Sequence, residues 1–221
     1  MSTTMPAAER RTAPETHNDA LVLYGVPWRV YEGMLRLLDD RHLRITYDQG
    51  TLEIMTLSLE HENPSSILGE FVVILADAFG IARLAGGSVT LKRRTIDRGL
   101  EPDKCWWFGA NARKMMGVGK INLGKLPPPD LAIEVDVSHS SIDRIAIYAR
   151  LGVPEIWCAS RRKLRMLTLA DQGKYVEAPE SKHFAGTTPA VLTRFLALRH
   201  RQTDGEVARQ FRAWVHKNLK K

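Results

Sequence analysis

The stretch from Asp130 to Ala159 constrains the fold more than any other part of the chain. It opens with "DLAIEVDV", set off by Pro127, Pro128 and Pro129, and reads as a strand. "SSIDRIAIYARLG" follows with helical spacing, and "PEIWCAS" reads as a second strand. Strand, helix and strand in this order predict a right-handed crossover in a mixed sheet. Ser140 or Ser141 fits the helix N-cap, Asp143 falls in the first turn and Gly152 takes the C′ stop.

Side chains alternate faces along a strand, so Leu131, Ile133, Val135 and Val137 share one face. Asp130, Ala132, Glu134 and Asp136 share the other. One reading is a half-exposed strand with a solvated polar side. The other starts from the crossover helix, which covers strands on both faces and leaves buried carboxylates in need of partners. A divalent cation is one such partner. Asp103 in "EPDK" marks a second strand boundary after Pro102. If that strand pairs with 130–137, Asp103 meets Glu134. Two carboxylates on neighbouring strands suit magnesium or manganese, and such an ion activates water at a scissile phosphate. Structural readings stand beside these. Asp103 can cap a turn, Asp130 can fix the strand start after Pro129, and Arg144 can pair with an acid such as Glu134.

The rest of the chain is mixed α and β. Residues 28–41 have a helical period, and 43–55 read as a hairpin around Asp48-Gln49-Gly50. A long apolar helix follows "SLEHE" and stops at Gly80. Short strands surround Lys92-Arg93-Arg94 and Asp103, and "NARKMMGVGKINLGK" reads as an exposed loop. We expect residues 1–20 to form a flexible tail and 21–221 a single domain ending in a helix over 205–219. The first twenty residues lack an apolar core of the kind a secretory signal needs, and no apolar run is long enough to span a membrane. Cys105 and Cys158 are too few for a disulfide framework and do not form a zinc pair, which fits a cytoplasmic protein. The net charge of +7 favours polyanionic partners. Lys92, Arg93 and Arg94 read either as a phosphate-binding edge or as a charged, solvated edge strand. Trp106 and Trp107 read as base-stacking or core residues.

Taken in order, "YDQGTLEIM", "LEHE", "EPDKCWW", "PPPDLAIEVD", "SSIDR" and "YARLGVPEIW" resemble the Uma2 family of restriction-endonuclease-like proteins in the PD-(D/E)XK superfamily, from about Trp28 to Phe195. The resemblance implies an α/β fold: a restriction-endonuclease-like three-layer α/β/α core around a central mixed sheet. It implies metal-dependent hydrolysis of phosphodiester bonds in DNA, with Mg2+ or Mn2+ as cofactor. Asp103 matches the first acid of the motif and Glu134 the second. Asp136 stands where the motif places a lysine, and Arg144 occupies the position on the following helix where family members supply one. Arginine clamps phosphate oxygens but does not readily lose a proton, so it is a poor general base. A nucleic-acid-binding protein with weak or lost catalysis is therefore the alternative. Glu60 matches an acid that completes the metal site, with Glu62 a second candidate. His61, Lys92, Arg93, Arg94 and Lys104 are the expected substrate contacts. A homodimer able to cut both strands is a further expectation.

Overall fold

The predicted strand–helix–strand order is present, with the two strands parallel. In the computed structural model, β8 (Leu131–Val135) lies parallel to β9 (Glu155–Ala159), joined through α4 (Arg144–Leu151). The structure describes residues 20–38, 43–56, 59–135, 140–160 and 163–219, with 59–61 described as backbone only. Asp143, not Ser140 or Ser141, caps α4: its side chain accepts the Ala146 N–H. A carboxylate at the N-cap accepts an amide hydrogen bond and complements the helix dipole. Gly152 ends the helix at φ 83°, a left-handed conformation that favours glycine.

The expected central mixed sheet is there, but it is one of two sheets among the described residues. The mixed sheet has six strands, β11-β10-β9-β8-β7-β4. These are β4 (Arg83–Ala85), β7 (Lys104–Phe108), β8, β9, β10 (Leu164–Leu169) and β11 (Tyr175–Ala178). All its pairs are antiparallel except β8 with β9. The second sheet has five antiparallel strands, β1-β3-β2-β6-β5. These are β1 (Ala20–Leu23), β2 (Leu43–Asp48), β3 (Thr51–Thr56), β5 (Leu91–Arg93) and β6 (Arg98–Leu100). The hairpin β2–β3 turns at Gln49 (φ 46°) and Gly50 (φ 93°), as two consecutive positive φ values require for a tight two-residue loop. The single-sheet expectation missed this arrangement because short strands do not reveal which sheet they join.

Three apolar clusters fix the layers. Ile133, Leu131, Trp106 and Trp157 face α2 (Leu59–Ala78), α5 (Pro189–Leu196) and α6 (Asp204–Asn218). Ala132, Cys105, Trp107 and Cys158 face α4, α3 (Gly109–Met115) and the strands of the second sheet. That second face is therefore covered by helix and strand together. Ile45, Tyr47, Leu52 and Ile54 of the hairpin pack on α1 (Trp28–Leu37) through Tyr31 and Trp28. The stretch after β7, expected as a loop, begins with α3, because Ala112 and Met115 insert into the core. Trp106 and Trp107 are both core residues, one on each face of the sheet. No described helix is long and apolar enough to cross a membrane.

Candidate active site

Asp103 and Glu134 face each other across neighbouring strands. Lys104 pairs with Ile133 in the antiparallel β7–β8 ladder, and one step further along brings Asp103 opposite Glu134. Asp103 lies where the chain leaves β6 in one sheet to begin β7 in the other. Its Oδ2 accepts the Val135 N–H at 2.5 Å, which locks the side chain against β8. Both acids project on the α4 side of the mixed sheet, with Cys105 and Ala132.

The hairpin of the second sheet presents its polar face to them. Arg44 and Thr46 alternate with the apolar Ile45 and Tyr47, and Thr46 pairs with Glu53 of β3. The site is thus built between the two sheets, from β2, β3, the β6–β7 crossing, β8 and α4.

Every carboxylate oxygen of the two acids is engaged. Arg44 Nη1 forms an ion pair with Asp103 Oδ1, and Arg44 Nη2 donates to Glu62 Oε1 on α2 at 3.0 Å. Arg144 grips Glu134 in a fork, Nε to Oε2 at 3.2 Å and Nη2 to Oε1 at 2.7 Å. The Tyr148 hydroxyl also donates to Glu134 Oε1. Arg144 reaches on to the Glu101 carbonyl at 2.7 Å and to the Thr46 hydroxyl. It is only 5% exposed, and Glu134 only 3%. Such a pair persists in the interior because the fork supplies both charge and hydrogen bonds.

Protonation states follow from this packing. Burial opposes the charged form of Arg144, but Glu134, Tyr148 and Glu53 together outweigh it and raise the guanidinium above its ordinary value. Burial raises the Tyr148 hydroxyl, and Glu134 raises it further, so the phenol stays a donor. Glu101 is raised by burial, an effect opposed by the Thr90 hydroxyl at 2.8 Å and the Ile45 N–H at 3.1 Å. Glu53, 2% exposed, accepts the Ser140 hydroxyl and the Ser141 N–H, each at 2.7 Å. It ties the segment entering α4 to the hairpin.

The other expected site residues distribute differently. Lys92 pairs with Glu32 at 2.9 Å, while Arg93 donates to the carbonyls of Leu123 and Leu151 at 3.1 and 3.3 Å. Arg94 is exposed. Lys104 runs along α2 beside Gly69, on the opposite face of the sheet from Asp103. Asp136 lies outside the described residues, as do the side chains of Glu60 and His61. Asp130 is structural: its carboxylate accepts the Phe108 N–H at 2.7 Å and the Asn111 amide at 2.9 Å. Arg44, Thr46, Glu53, Glu101 and Tyr148 were not expected in the site. For Glu53 the signal was available: an acid between Leu52 and Ile54 has the same pattern as Glu134 between Ile133 and Val135.

Restriction-endonuclease-like families generally use divalent metal ions. Hard carboxylate oxygens are the right donors for magnesium or manganese. The described residues do not fit such an ion as they stand, because guanidinium, amide and phenol groups occupy all four oxygens of Asp103 and Glu134. Among the described residues, no group of three or more His, Cys, Asp or Glu is arranged to hold a metal.

No curated protein matches the chain. The family of proteins described as "Putative restriction endonuclease" does match, over residues 31–199, which include every site residue above. The match spans more than half of the chain, and the mixed α/β architecture agrees with it: the chain belongs to the Uma2 family.

Proposed function

We propose that the protein is an endonuclease that hydrolyses phosphodiester bonds in DNA, with Asp103, Glu134 and Arg144 at the reacting phosphate. The observation that carries this reading is the direct opposition of Asp103 and Glu134 across β7 and β8, with Arg144 beside them from the crossover helix. What the chain itself supplies is electrostatic. Arg144 and Arg44 each present a planar fork that matches two phosphate oxygens, and a phosphate competes for the donors that now hold carboxylates. Asp103 or Glu134, once released, is the group able to accept a proton from attacking water. Arg144 remains a cation throughout and acts as the electrophile.

A second reading rests on the engaged carboxylates and on arginine at the lysine position: a nucleic-acid-binding protein that cleaves weakly or not at all. Incubating supercoiled plasmid and single-stranded DNA with the protein, in EDTA, Mg2+ or Mn2+, separates the two. The endonuclease reading expects cleavage that is lost in Asp103→Asn and Glu134→Gln. Cleavage that persists in both variants, or salt-dependent DNA binding with no cleavage in any condition, overturns it. Arg144→Lys adds a further arm, since raised cleavage there identifies a weakened enzyme.

A further inference from the structure

We infer that a cleft beside Arg144 binds the phosphate backbone of a nucleic acid, with Lys163 and Arg165 as its anion contacts. This deepens the proposed function and rests on it. The ladder registers place Asp103 opposite Glu134, Glu134 beside Cys158, and Cys158 opposite Arg165. These four residues form one row across the mixed sheet, on the α4 face. Strands are about 4.8 Å apart, so Arg165 stands roughly 10 Å from Glu134 along that row. A cleft of about 480 Å³ occupies this face, lined by Ser140, Ser141, Arg144, Ser160, Lys163 and Arg165 among others. It therefore runs from Arg144, which holds Glu134, to the β9–β10 hairpin.

The charge in the cleft is available to a ligand. The Lys163 and Arg165 side chains are 66% and 44% exposed. Their common partner Glu177, itself 57% exposed, lies 3.8 and 3.5 Å away. Ion pairs this exposed contribute little, so a phosphate displaces Glu177 at small cost. Arg93 and Lys92, by contrast, are held by buried carbonyls and by Glu32.

The test is fluorescence anisotropy of labelled duplex and single-stranded DNA with wild-type protein, Lys163→Ala/Arg165→Ala and Glu177→Gln, over a range of salt. Each phosphate contact adds about 0.9 to the slope of log affinity against log salt for duplex and about 0.7 for single strands. The double variant is expected to lose about 1.8 of slope on duplex, or about 1.4 on single strands, and the form bound more tightly at a given salt concentration is the preferred one. On duplex, wild type then gains about 60-fold more than the variant for each tenfold drop in salt. Glu177→Gln is expected to bind more tightly than wild type. An unchanged slope in the double variant, with wild type still binding, overturns the cleft and leaves the proposed function standing. Binding without cleavage, with the slope loss, supports the cleft and removes the endonuclease reading. No DNA binding by wild type overturns both.

Discussion

Replacing Arg144 by methionine tests whether the centre is a buried ion pair that the fold depends on. The change keeps an unbranched apolar stem out to the ε position and removes the guanidinium. It removes two hydrogen bonds to Glu134, one to the Glu101 carbonyl and one to the Thr46 hydroxyl. Glu134, 3% exposed, is then left with the Tyr148 hydroxyl as its remaining partner. Removing one member of a buried pair costs about 3–5 kcal/mol, mostly because the other charge stays buried. In a domain of this size each kcal/mol lowers Tm by about 2–4 °C, so the expected loss is about 6–20 °C. Glu134→Gln in the same background removes the stranded charge and is expected to recover at least about 1 kcal/mol of the loss. Urea unfolding of wild type, the two single variants and the double variant gives the coupling energy directly. A loss below about 1 kcal/mol for Arg144→Met, or strict additivity in the double variant, would refute the buried-pair account.

Three further outcomes follow from the same geometry. Arg44→Gln frees Asp103 and Glu62 from their shared cation and is expected to create Mn2+ binding that wild type lacks, measured by paramagnetic resonance of the free ion; Asp103→Asn in that background should abolish it. Burial raises the Glu155 carboxyl above its ordinary value near 4.5, an effect opposed by the Trp157 N–H and His183. A raised carboxyl stabilises the fold below the unfolded value and loses that contribution as pH rises through the folded one. Glu155→Gln should therefore gain stability relative to wild type as pH is raised from about 4 to 7 in thermal melts, and a constant difference would count against it. At Gly99, an added Cβ would lie 2.8 Å from Lys92 Cβ and against the Tyr31 hydroxyl, so Gly99→Ala is expected to cost about 1–3 kcal/mol by overpacking, read from urea midpoints.

The crossover and the pairing of Asp103 with Glu134 were legible because both rest on local rules: alternation, a proline-marked strand start, and a helix between parallel strands. Asp143 as the cap was harder to see, since two serines and an aspartate compete for that role and the helix start decides between them. Arg144 as a partner of Glu134 was among the sequence readings, but Arg44 as the partner of Asp103 was not legible. Arg44 and Arg144 are 100 residues apart in sequence, and their convergence depends on how the second sheet docks against the first. No periodicity records that docking. Part of it could nonetheless have been read. A two-residue turn at Gln49-Gly50 fixes Thr46 opposite Glu53, which places two polar side chains on the face away from Ile45 and Tyr47. A polar face on a hairpin whose other face is core implies either solvent or a second charged surface.

That docking ties ligand binding to stability. Arg144 bonds Thr46 in one sheet and Glu134 in the other, while Arg44 carries Asp103 at the crossing between them. Any phosphate or cation that enters must take donors or carboxylates from the contacts that hold the sheets together. Net affinity is then the new contacts less those given up, and that net affinity sets how far a ligand stabilises the fold by mass action. A short DNA oligonucleotide should therefore raise Tm less in Arg44→Gln than in wild type if Arg44 turns from Asp103 to the phosphate. An equal rise would mean that Arg44 keeps its carboxylates and serves the fold alone.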